Sequence, residues 1–72
     1  MGNFRDNLRI RRLQLLMSQD ELAKKIGVTQ TTIWLYENGE ATPKLEIALK
    51  LAKVLGMTVE QLAGDEPPKA SQ

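Results

Sequence analysis

The feature that most constrains this chain is the helix punctuation between Ser18 and Gly39. Ser18-Gln19-Asp20-Glu21 is a Ser-x-x-Glu capping box: the Ser hydroxyl accepts from the backbone N–H of Glu21, and the Glu carboxylate accepts from that of Ser18. A helix therefore starts at Gln19. Gly27 suits the left-handed conformation that closes a helix, and Thr29 caps a further one that runs to about Glu37 and ends at Asn38-Gly39. Only Gly27-Val28 is left to join the two. So short a link excludes full-length antiparallel packing and suits helices meeting at a steep angle. The apolar positions agree, since Leu22, Ile26, Val28, Ile33 and Tyr36 converge on one core and Ala23 leaves room where the helices cross.

Helical period governs the rest of the chain, and the apolar alternation of strands is missing. A first helix is expected from about Asn3 to Leu16, with Phe4, Leu8 and Leu15 on one stripe. A fourth opens at Thr42-Pro43, a capping residue before a proline suited to the first helical position, and stops at Gly56. Thr58-Val-Glu-Gln61 is a second capping box that starts a short fifth helix through Ala63, where Val59 and Leu62 face the core. Residues 1–64 are thus expected to form one compact all-α, five-helix domain. Residues 65–72, with two prolines and no periodicity, are expected to be a disordered tail.

Composition narrows the function. The 72 residues contain no Cys and no His, so disulfides, thiol or imidazole catalysis and a zinc or haem site built on those ligands are all excluded. Asp and Glu are scattered singly, without a paired-carboxylate site. No metal, cofactor or small-molecule ligand is expected, and nothing forms a separate sensing domain. No apolar run approaches the roughly 20 residues that span a bilayer, and MGNFRDNLRIRR lacks the apolar stretch of a signal peptide, so a cytoplasmic location is expected. Ten Lys and Arg against nine Asp and Glu leave a net charge of +1, unevenly spread. Residues 1–18 carry four Arg and one Asp, whereas 57–72 sum to −2. A polyanionic partner is permitted by this balance but not established by it.

The segment QDELAKKIGVTQTTIWLYENG resembles the helix-turn-helix of the phage lambda-repressor and Cro family, often called XRE-like, and TPKLEIALKLAKVLGMTVEQLAG resembles that family's fourth and fifth helices. The likeness spans about Leu8 to Ala63. It implies a lambda-repressor-like domain that binds double-stranded DNA, with the third helix in the major groove and the second crossing the backbone. At about 100° per residue Thr29, Ile33 and Tyr36 point one way while Gln30, Thr31 and Trp34 point the other, with Leu35 alongside. Gln30 is the foremost candidate for a base contact, because its amide matches the donor and acceptor edge of adenine; Thr31 offers a hydroxyl or a methyl toward thymine. Trp34 and Leu35 depart from the family's smaller or polar residues. Three roles stay open for them: contact with thymine methyls, cover from neighbouring helices, or a protein interface.

For phosphate anchoring the resemblance implies Gln19 and Thr29 near the starts of the second and third helices, together with Asn38, Gly39, Thr42 and Lys44 in and after the loop that follows. Glu40 is an acid where many relatives place a base. The family also pairs an Arg of the first helix with the Glu ending the third, here Arg12 and Glu37. Arg5, Arg9 and Arg11 either add long-range attraction or are solvated. Ile10 and Leu13 lie opposite the core stripe and need cover from the fifth helix or a second copy. The function implied is a transcriptional regulator, acting as a repressor and binding a palindromic operator as a homodimer. The rival is a protein-interaction module, antitoxin-like or accessory, that uses Trp34 and Leu35.

Overall fold

The computed structural model describes residues 3–64, so the expected disorder of 65–72 lies outside the described residues. Within them the chain forms α1 (Phe4–Gln14), α2 (Gln19–Ile26), α3 (Gln30–Glu37), α4 (Leu45–Leu55) and α5 (Val59–Ala63), with no strand. The expected architecture is present, and the caps explain most boundaries. Ser18 and Thr58 each form the reciprocal capping box, and Thr29 Oγ1 accepts from the backbone N–H of Thr32. Asn3 does the same for Asp6 at the head of α1.

Two boundaries differ from expectation. Helix α4 starts at Leu45 with Lys44 at the cap position and no side-chain capping bond, so neither Thr42 nor Pro43 opens it. Helix α1 ends at Gln14, and the backbone N–H groups of Leu16 and Met17 donate to the carbonyls of Leu13 and Arg12. This is the double closure usually made with glycine in the left-handed position. Here that position is Leu16, with φ of 59° and the residue 89% exposed. By contrast α2, α3 and α4 close over Gly27, Gly39 and Gly56, all at positive φ. Because α1 stops early, Leu15 lies at the rim instead of continuing the core stripe.

The core gathers one side of every helix: Leu8, Leu22, Ala23, Ile26, Ile33, Tyr36, Leu51, Ala52, Leu55 and Leu62 are buried, with Phe4, Val28 and Val59 packed against them. Phe4 meets Tyr36 edge to face, ring centroids 6.0 Å apart. Polar side chains of α1 fasten the carboxyl ends of α4 and α5. Arg11 Nε donates to the Leu55 carbonyl at 2.8 Å, and Asn7 Nδ2 donates to the carbonyls of Gln61 and Leu62. These long-range caps satisfy helix-end carbonyls that otherwise lack a partner. Ile10 and Leu13 remain 54% and 51% exposed, so α5 does not cover them; the inward positions of α1 are held by Leu8 and Arg12 instead.

Candidate nucleic-acid interface

The site is the outer surface of α3 and the edges that frame it. Helix α3 buries Ile33, Tyr36 and Glu37, which turns Gln30, Thr31 and Trp34 into solvent. Trp34 keeps 42% of its surface exposed, a large apolar group left open in the middle of a polar face. Leu35 is half-buried and does not extend that opening. Of the four expected base-contact residues, three therefore share an open face and the fourth stands at its margin.

A chain of hydrogen bonds ties this face to the interior. Arg12 Nε and Nη2 donate to Glu37 Oε2 and Oε1 at 2.6 and 3.0 Å, a two-pronged pair in which both residues are buried. Arg12 Nη1 donates to the Met17 carbonyl at 2.7 Å, and Gln19 Nε2 donates to Glu37 Oε1 at 3.1 Å. Gln30 Nε2 in turn donates to Gln19 Oε1 at 2.6 Å. The order Arg12, Glu37, Gln19, Gln30 thus joins α1, the end of α3, the head of α2 and the head of α3. No buried side-chain nitrogen or oxygen among the described residues is left without a partner. Breaking such a buried pair at one partner costs about 3–5 kcal/mol, because the remaining charge is left largely desolvated and without its counter-charge.

These bonds leave the right atoms free. Each amide nitrogen has two hydrogens and each amide oxygen two lone pairs. Gln30 uses one hydrogen on Gln19 and retains the other, together with its whole oxygen, for the donor and acceptor pair on an adenine edge. Gln19 uses one hydrogen on Glu37 and keeps one for an anionic oxygen at the α2 N-terminus. Held by these bonds, Gln19 through both amide atoms and Gln30 through its nitrogen, the side chains lose less rotamer freedom on binding than free ones. Sequence periodicity placed Gln30 and Gln19 separately; their bond depends on the angle between α2 and α3, which no local pattern carries.

The remaining expected contacts are less uniform. Thr29 Oγ1 is engaged by the Thr32 backbone and lies 2.9 Å from the Thr32 hydroxyl, so it works first as a cap. Asn38 Nδ2 donates to the Trp34 carbonyl, while its oxygen is free toward solvent. Gly39 follows at φ 72°, and Thr42 and Lys44 are exposed further along. A polar depression of about 240 Å³ runs between Arg9, Arg12, Gln19, Trp34, Glu37 and Asn38, directly beside the outward face of α3. Arg9 on that rim was ambiguous in the sequence, because one helical turn carries Arg9, Arg11 and Arg12 and only packing separates them. Burial pushes the Tyr36 phenol above its ordinary value of 10.0. Among the described residues no three His, Cys, Asp or Glu cluster where they could hold a metal, and no helix is long and apolar enough to cross a membrane.

The family model described as helix-turn-helix matches residues 8–62. An uncharacterised helix-turn-helix-type transcriptional regulator of Archaeoglobus fulgidus is 41% identical over 58 residues, covering 81% of this chain and 83% of the relative. The cryptic phage CTXphi transcriptional repressor RstR of Vibrio cholerae is 39% identical over 62 residues, 86% of this chain and 56% of RstR. Among solved structures, the P22 c2 repressor in complex with a synthetic operator superposes with a TM-score of 0.86 at 29% identity, covering 92% of this chain and all of that one. The chain belongs to the helix-turn-helix family of lambda-repressor-like domains.

Proposed function

From that membership we propose that the chain is a DNA-binding transcriptional regulator, a repressor that occupies a palindromic operator as a homodimer with α3 in the major groove. The observation that carries the reading is the braced Gln30: a base-reading amide held outward on α3 by Gln19, which is itself held by the buried Arg12–Glu37 pair. Gln30, Thr31 and Trp34 read base edges, the indole and the Thr31 methyl meeting thymine methyls. Gln19, Asn38, Gly39 and Lys44 grip phosphates and set register without reading sequence. Thr42 lies in the same stretch, and Thr29 supports it through its cap. Two copies related by a twofold axis meet half-sites about 34 Å apart. The work is binding, with no catalytic group required, in the cytoplasm where the operator is.

The rival, a protein-interaction module built on Trp34 and Leu35, is less well supported because Leu35 is half-buried and the patch shrinks to one indole. Trp34 is the single tryptophan, so its fluorescence reports on this face directly. Titration with random duplex DNA at low and moderate salt is expected to shift the emission, with affinity falling steeply as salt rises. No binding at low salt, where phosphate contacts are strongest, sinks the regulator reading. A selection from random sequence then yields the operator and its half-site spacing, and a site without twofold symmetry refutes the homodimer.

A further inference from the structure

The four arginines of α1 divide into two pairs. Arg11 and Arg12 are committed to the fold, Arg11 to the Leu55 carbonyl and Gln14, Arg12 to Glu37 and Met17. Arg5 and Arg9 are exposed and one helical turn apart, Arg5 reaching the glycine that closes α3 and Arg9 lining a hollow that Asn38 also lines. Arg5 lies across Gly39: a Cβ on that glycine would sit 2.9 Å from Arg5 Nη1 and 3.1 Å from its Cδ. Arg9 borders the depression that also holds Gln19, Trp34 and Asn38. A second hollow of about 300 Å³ beside Arg5 is edged by Asn3, Gly39 and Thr42. The nearest acid to Arg5 is Asp6, at 4.0 Å with both side chains more than half exposed, too loose a pair to hold the guanidinium.

We propose that Arg5 and Arg9 form a two-pronged phosphate clamp on α1, gripping the DNA strand beside Asn38 and Gly39. The inference rests on the DNA-binding reading above. The loop from Asn38 to Pro43 contains Glu40 and no base, so the only cation that this stretch of chain brings near Asn38 and Gly39 is Lys44 just beyond it. Arg5 and Arg9 bring further positive charge from a different helix. Their i, i+4 spacing places the Cβ atoms about 5–6 Å apart, close enough for two neighbouring phosphates of one strand. A guanidinium offers a planar fork of donors to phosphate oxygens, which gives position as well as charge. Gly39 has two jobs in consequence: it closes α3 at positive φ and keeps clear the path on which Arg5 lies.

A clamp and a diffuse basic face differ in how many counterions each releases. Affinity for random duplex is measured against salt for the full chain, for the double variant Arg5→Gln/Arg9→Gln, and for Lys50→Gln/Lys53→Gln, which removes the same charge from the exposed side of α4. The clamp predicts that the slope of log affinity against log salt becomes shallower by about 2 in the arginine variant and is unchanged in the lysine variant. Arg5→Lys/Arg9→Lys restores most of the slope, which separates lost charge from lost folding. Equal slopes for the arginine and lysine variants, or no change in either, overturn the clamp while leaving DNA binding intact. Absence of salt-dependent binding by the unmodified chain overturns the DNA reading itself.

Discussion

Along α3, Ile33, Tyr36 and Glu37 are buried, while Gln30, Thr31 and Trp34, interleaved with them at the same helical spacing, stand in solvent. The charges on the inner face are committed: Glu37 receives three hydrogen bonds, and its partner Arg12 also reaches the Met17 carbonyl. On the outer face the amides and hydroxyls are only partly used. One side of a single helix is thus optimised for a fixed answer, and the other is held ready for a variable one. Gln19 joins them, since it bonds Glu37 with its nitrogen and Gln30 with its oxygen. The difference teaches that rigidity at a reading surface is produced from behind, by buried partners.

The largest expected effect breaks the inner face. Glu37→Gln leaves Arg12 buried without its counter-charge and is expected to lower stability by about 3 kcal/mol in denaturant unfolding. An unchanged midpoint would show that the pair is not what holds α1 to α3. Next, Gln30→Ala cuts only the outer face. It is expected to reduce discrimination at one base pair by about 1–3 kcal/mol, leaving the melting temperature and non-specific affinity nearly intact. Equal losses on every sequence would reduce Gln30 to a backbone contact.

Leu16→Gly probes the turn that presents the Met17 carbonyl to Arg12. Relief of the left-handed strain, offset by the greater freedom of glycine in the unfolded chain, is expected to raise stability by about 0.5–1 kcal/mol. A loss of stability would mean that the exposed leucine makes a contact worth more than its strain. The smallest effect is alkaline. Because the folded pKa of Tyr36 lies above its unfolded value, the folded chain holds that proton longer. The contribution of Tyr36 is therefore complete below pH 10 and lost as pH rises through its raised value, and Tyr36→Phe should remove this part of the alkaline destabilisation. The outer face has no group titrating there, so DNA contacts made by Gln30 and Thr31 should not share the dependence.

Much of this was legible in the linear chain because its signals are local. A capping box needs four residues, a closing glycine needs one, and the burial of Leu22, Ile26, Ile33 and Tyr36 follows from spacing alone. Those features determined five helices, the short joint between α2 and α3 and which side of α3 faces out. The start of α4 was misplaced because Thr42-Pro43 has the right residue types for a cap, yet the chain reaches helical geometry two residues later. Of the two covers expected for Ile10 and Leu13, the fifth helix does not supply one: both residues remain half exposed in the single chain, while Leu8 and Arg12 take the inward places on α1.

What tertiary structure alone decided is which polar groups meet. Four arginines within eight positions of α1 look alike in sequence, yet one seals the carboxyl end of α4, one neutralises Glu37, one lies across Gly39 and one borders the depression beside Asn38. The bond between Gln19 and Gln30 crosses eleven positions and depends on the angle at Gly27-Val28. Caps and apolar periodicity act over one or two helical turns and so are written in neighbouring residues. A hydrogen bond between distant side chains requires both to arrive within about 3 Å in the right orientation, and only the packed core sets that distance.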